Sequence, residues 1–153
     1  RKVDAVSDQR KVGSAPRLQF AVPDLLYVRE LQGELGDRLR ALGLRVEELT
    51  ASELRRATGV NRQHQKLSVP DTFAFALAES RRWTLLTGDG ILRELAAAEK
   101  IAMHGVLWLF DQMADGAHVN FDRLHSGLTQ LYAHPRCRLP ASEVKHRLTR
   151  FAG

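Results

Sequence analysis

The chain has 153 residues, a length that suits one domain with a core of its own. Apolar residues make up 44% and charged residues 27%, an ordinary globular composition. No apolar run approaches the roughly 20 residues of a membrane span, and no signal-peptide pattern opens the chain. The first residue is not methionine. The single cysteine, Cys137, excludes an internal disulfide and points to a reducing cytoplasm. The net charge of +5 gathers towards the C-terminus, where Arg123, Arg136, Arg138, Lys145, Arg147 and Arg150 face only Asp122 and Glu143 beyond residue 118. Such a tail suits a polyanion, or it is a solvated helix face.

In chain order, residues 3–8 read as a short strand ending in Asp8, and residues 9–16 as a polar loop broken by Gly13 and Pro16. Residues 18–22 read as a second strand, closed by Pro23. From Asp24 the apolar spacing turns helical, with Leu25, Val28, Leu31, Leu35, Leu39 and Leu42 as one buried stripe and Gly43 as its stop. Glu30 flanks that stripe. A brief strand is expected over 44–49. Thr50-Ala51-Ser52-Glu53 then has the pattern of a capping box opening a short helix that ends near Gly59. Residues 61–66 are polar throughout, either the end of that helix or an exposed loop.

Ser68 caps the next predicted helix, Pro70 fits its first turn, and Phe73, Ala74, Leu77 and Ala78 form its inner side. Residues 84–87 are a near-continuous apolar strand of the kind buried in a parallel sheet. Gly88-Asp89-Gly90 makes a turn, and residues 91–100 form a helix with Leu92, Leu95 and Ala96 inward. A last strand over 101–104 and helices over 106–113, 119–133 and 140–151 complete the chain. Strands alternating with helices imply an α/β fold with a mostly parallel sheet.

In such a sheet, function collects at the carboxyl ends of the strands. Asp89 follows a strand there, although a turn aspartate is also an ordinary helix N-cap. Asp71 stands in a first helical turn, where Ser68-x-x-Asp71 equally reads as a capping box. Glu30 is either aimed at the core edge or solvated, and Asp8 is either a strand-end acid or a loop acid. Taken together, three or four converging carboxylates form the ligand set of Mg²⁺ or Mn²⁺ rather than zinc. A metal held there would activate water and stabilise charge on a phosphodiester.

Leu67-Ser68-Val69-Pro70-Asp71-Thr72-Phe73-Ala74-Phe75-Ala76-Leu77-Ala78, then Thr84-Leu85-Leu86-Thr87-Gly88-Asp89, then His104-Gly105-Val106-Leu107-Trp108-Leu109, resemble the PIN-domain family. These are metal-dependent ribonucleases, many of them toxins of the VapC type. Residues 20–31, from Phe20 to Leu31, also resemble the family's second-strand and helix region, so the likeness runs from 20 to about 113. The resemblance implies one domain over 1–153: a three-layer α/β/α fold with a central, mostly parallel sheet, an N-terminal strand and loop over 1–19, and a basic helical extension over 117–153. It implies acidic residues at Glu30, Asp71 and Asp89, with the first acid supplied by Asp8 or, second, Asp4. Thr87 either helps place metal or phosphate through its hydroxyl or is structural, as strand-end threonines usually are. It further implies Mg²⁺ or Mn²⁺, RNA as substrate, an antitoxin encoded beside a toxin, a homodimer and a cytoplasmic location, with no membrane. The alternative is a PIN-like scaffold that binds RNA or protein without cutting.

Overall fold

The computed structural model describes residues 5–12, 15–117 and 119–153. Asp4 and His118 lie outside them, as do Gly13 and Ser14. The chain separates into two compact units, Arg1–His104 and Gly105–Gly153. No helix of the described residues is long and apolar enough to cross a membrane.

All five strands belong to the first unit: β1 (Ala5–Val12), β2 (Ala15–Pro23), β3 (Arg45–Glu47), β4 (Thr84–Leu86) and β5 (Met103–His104), in the order β3-β2-β1-β4-β5. β2 pairs with β3 and β4 with β5 in parallel, while β1 is antiparallel to both of its neighbours, β2 and β4. Four strands therefore share one direction and β1 opposes them. The loop expected over 9–16 is corrected. Its described part is strand, because β1 runs on to Val12 and returns in β2 with Val12 opposite Ala15. Polar residues do not prevent this, since a hairpin satisfies backbone groups across the ladder whatever its side chains. Pro16 stands at the hairpin end, where a missing N–H costs least.

The single helix expected from Asp24 to Leu42 is also corrected. Helix α1 (Asp24–Leu26) passes into a π-helical turn over Tyr27–Leu31, where the Gln32 N–H donates to the Tyr27 carbonyl at 2.8 Å. Extended backbone at Gln32 and a left-handed Gly33 (φ 121°) then break the chain before α2 (Glu34–Ala41). The wider turn and the break shift the buried face. Leu26, Tyr27 and Leu31 are buried, whereas Val28, Leu35 and Leu42 of the expected stripe are 57%, 48% and 85% exposed.

Helix α3 (Ala51–Gln63) opens with the capping box read from the sequence. The Glu53 N–H donates to Thr50 Oγ1 at 3.2 Å, and the Thr50 N–H donates to Glu53 Oε1 at 2.8 Å. The helix does not stop at Gly59: burying Ala57 and Val60 outweighs the ~1 kcal/mol that a mid-helix glycine costs. Helix α4 (Val69–Arg81) is the core element, with every residue from Ala74 to Ala78 buried against Leu85, Leu92 and Val60 in one cluster. A two-residue link, Arg82–Trp83, reverses the chain into β4, and α5 (Gly90–Ala98) follows with Leu92 and Ala96 buried.

Arg81 joins these elements electrostatically. Its guanidinium donates to Glu47 at 2.8 Å, to both oxygens of Glu53 at 3.1 Å, and to the Glu48 carbonyl at 3.0 Å. Glu53 is only 2% exposed. Burial pushes its carboxyl up, but the Arg81, Thr50 and Ser80 hydrogen bonds outweigh burial and hold it below the ordinary range. Glu47 is lowered in the same way by Arg81 and Arg45 against its burial.

The second unit is helical: α6 (Val106–Asp115), α7 (Phe121–Ala133) and α8 (Ala141–Ala152). Phe110, Leu124, Leu128, Val144 and Phe151 form its core. Arg147 grips Asp111 with two hydrogen bonds of 3.0 and 2.8 Å, and reaches Glu143 at 2.9 Å.

Candidate functional site

The strand directions decide which residues can share one edge of the sheet. β2 ends at Pro23 and leads through α1 into the turn that carries Glu30. β4 ends at Leu86, three residues before Asp89. Because α4 feeds β4 through a tight reversal, its N-terminus, with Asp71, lies towards the carboxyl end of β4. By element order, Asp89 follows β4, Glu30 follows β2 through α1, and Asp71 opens the helix that leads into β4, all segments that adjoin the strands of an α/β sheet.

Each of the three is half-buried, and each is positioned by its own local geometry. Ser68 Oγ accepts from the Asp71 N–H at 3.2 Å, and Asp71 Oδ2 accepts from the Ser68 N–H at 3.3 Å. Asp89 caps α5, its Oδ1 accepting from the Leu92 N–H at 3.0 Å. The Asp89 N–H donates to Thr87 Oγ1 at 3.1 Å, and the Thr87 N–H donates to the His104 carbonyl at 3.1 Å. Thr87 is 3% exposed, so its hydroxyl braces the Asp89 turn from inside. Burial, with Arg93 adding to it, holds the neighbouring His104 imidazole below its ordinary pKa and so favours the neutral ring.

Glu30 owes its place to a feature the apolar spacing did not disclose. The π-helical turn that carries it packs against Gly36 so closely that a Cβ there would collide with the Leu31 carbonyl and the Tyr27 ring. π-Turns recur at functional positions because they re-aim one side chain out of the helical register. Gly36 was invisible to motif reading, since a glycine one turn into a helix normally signals only a weak helix.

Asp8 is placed differently. Its backbone lies inside β1 opposite Gln19, not at a strand end, because β1 continues to Val12. β1 meets β4 with Ala5 opposite Leu86 and Ser7 opposite Thr84. Asp8 therefore lies past the Thr84 end of β4, away from the edge where Asp89 follows. Glu30, Asp71 and Asp89 stand in segments that follow β2, open α4 and follow β4, whereas the Asp8 backbone lies towards the opposite end of β4. Among the described residues, no three His, Cys, Asp or Glu side chains come close enough together to hold a metal ion. The oxygen-only donors suit Mg²⁺ or Mn²⁺, but as placed they do not make a cation site on their own.

A family model described as a PIN domain matches residues 19–152. The chain belongs to the PIN-domain family, a nuclease-type fold whose members are generally nucleases. The match begins at Gln19, so Asp8 lies outside it. No curated protein and no solved structure gives a match.

Proposed function

We propose that this protein is an endoribonuclease of PIN type that hydrolyses RNA phosphodiesters through Glu30, Asp71 and Asp89. The reading is supported by the chain's membership of a nuclease-type family, together with an element order that sets these three acids after β2, at the start of α4 and after β4. Held at helix starts and in a π-turn, the acids have fixed positions from which to accept a proton or orient an attacking water. A divalent ion, Mg²⁺ or Mn²⁺ as the family resemblance implies, would supply charge stabilisation. Among the described residues, the acids do not by themselves form a site for it. Action as the toxin of a toxin–antitoxin pair in the cytoplasm, with a cognate antitoxin and a second copy as partners, belongs to the same proposal.

The test is cleavage of RNA by purified protein with Mn²⁺, repeated with Asp71→Asn and Asp89→Asn. Asparagine keeps an oxygen acceptor for the capping bonds and removes only the charge. Loss of cleavage with an unchanged melting curve supports the reading; equal cleavage by wild type and variants sinks it.

A second reading has one observation in its favour. Asp71 and Asp89 are each bonded to a backbone N–H at the start of their own helix, and no three-acid group forms among the described residues. On that reading the fold is a scaffold that binds RNA or protein without cutting. Calorimetric titration with Mn²⁺ separates the two: heat of binding that disappears in Asp89→Asn belongs to the nuclease, and no heat belongs to the scaffold.

A further inference from the structure

In the second unit the charges are sorted rather than mixed. Three of its acids, Asp111, Asp115 and Glu143, are all taken up by Arg147 and Arg150, at 2.7 to 3.0 Å in their closest contacts. The sequence from Arg123 to Ser142 holds no acid at all. The turn between α7 and α8 lies within that stretch and carries His134, Arg136 and Arg138, all exposed and without an ion pair among the described residues. Tyr132, at the end of α7, is 39% exposed beside them in the chain.

The turn is also built to hold its shape. Pro135 fixes one backbone angle, the Cys137 N–H donates to the His134 carbonyl at 2.9 Å, and the Arg136 N–H donates to His134 Nδ1 at 3.1 Å. A preformed turn loses little freedom when a ligand docks. Guanidinium groups without an ion pair among the described residues, and an exposed aromatic ring four and six residues before them in the chain, supply the two components of sequence-tolerant single-strand recognition: cations for the backbone, a ring for a base.

We propose that the α7–α8 turn is a contact site for single-stranded RNA, with Arg136 and Arg138 on phosphates and Tyr132 stacked on a base. It rests on the reading of RNA as the substrate, but it concerns binding and not cleavage. An acidic protein would meet the same cations yet would make no use of the ring.

The experiment is fluorescence anisotropy of the full chain with a labelled oligouridylate in EDTA, which prevents metal-dependent cleavage, across a series of salt concentrations. Each single-strand phosphate contact contributes about 0.7 to the slope of log affinity against log salt. Arg136→Gln with Arg138→Gln is expected to lower that slope by about 1.4 and to weaken low-salt binding by roughly tenfold or more. Tyr132→Ala is expected to weaken binding by at least about fivefold, and Tyr132→Phe to leave it nearly unchanged. The control is Arg38→Gln with Arg55→Gln, which removes two exposed cations of the first unit that have no ion pair among the described residues. An equal loss in the control pair, an unchanged slope in the Arg136/Arg138 pair, or no RNA binding by the wild type overturns the proposal. An active nuclease whose turn variants bind RNA like the wild type loses this site and keeps its function. An inactive protein whose binding depends on the turn keeps the site and loses the nuclease reading.

Discussion

Asp89 carries two duties that one substitution can separate. Its carboxylate caps α5 through the Leu92 N–H, while its own N–H is anchored by Thr87. Replacing it with alanine removes the cap and should cost ~1 kcal/mol of stability. Asparagine, an equally good N-cap, should cost a few tenths at most. In RNA cleavage the order differs, because both substitutions abolish the charge and both should abolish activity. Urea unfolding of the two variants beside a cleavage assay checks this. A stable Asp89→Asn protein that still cuts RNA would reduce Asp89 to a helix cap. The capping role of Asp89 is set by geometry, and only removal of its charge tests a role in cleavage.

Among the elements, Gly36 and the π-turn form one device. A Cβ at Gly36 would meet the Leu31 carbonyl, which is backbone and cannot swing aside, so Gly36→Ala must displace either α2 or the turn carrying Glu30. We expect a loss of about 1–3 kcal/mol, typical of forced overpacking, and a fall in RNA cleavage larger than the stability loss explains. Cleavage measured well below the variant's unfolding temperature is the readout, and full activity there would show that Glu30 does not depend on the turn. The same region shows why some elements were legible and others not. The two capping boxes, Thr50 to Glu53 and Ser68 to Asp71, are local codes that need no knowledge of the rest of the chain, and both formed as read. The π-turn was hidden because the leucine spacing runs on regularly across Gly33, although the backbone breaks there. The hairpin was hidden because residues 9–12 pair through their backbone and show no apolar alternation. The helix-start positions of Asp71 and Asp89 were legible from strand and turn chemistry alone. Whether Asp8 joins them depends on the direction of β1, a non-local property that no spacing encodes.

For the molecule as a whole, acid is the condition that exposes how its charges are arranged. Glu47 and Glu53 sit below their ordinary pKa because the Arg81 and Arg45 bonds outweigh burial. The native state therefore releases these protons more readily than the unfolded chain does. Their contribution to stability is fully present above the ordinary glutamate value of about 4.3, and is lost as the pH falls through their lowered native values. A second effect acts in the same window. The chain holds 23 lysines and arginines and six histidines against 18 acids, so neutralising the acids leaves a strongly cationic molecule that repels itself. Salt separates the two, because it screens repulsion between exposed charges and hardly touches a buried pair. Arg81→Met removes the buried part: it leaves Glu53, 2% exposed, without its charge partner. At neutral pH it should cost about 2–4 kcal/mol, towards the low side of a broken buried pair since Arg81 is itself 24% exposed. The gap between wild type and variant should then narrow as the pH drops below about 4.3, because a protonated Glu53 no longer needs the guanidinium. Urea midpoints over this range at low and high salt check the argument. A gap that closes equally at both salt concentrations places the acid sensitivity in the Glu47–Arg81–Glu53 network. A gap that stays constant with pH would show that self-repulsion alone drives acid unfolding.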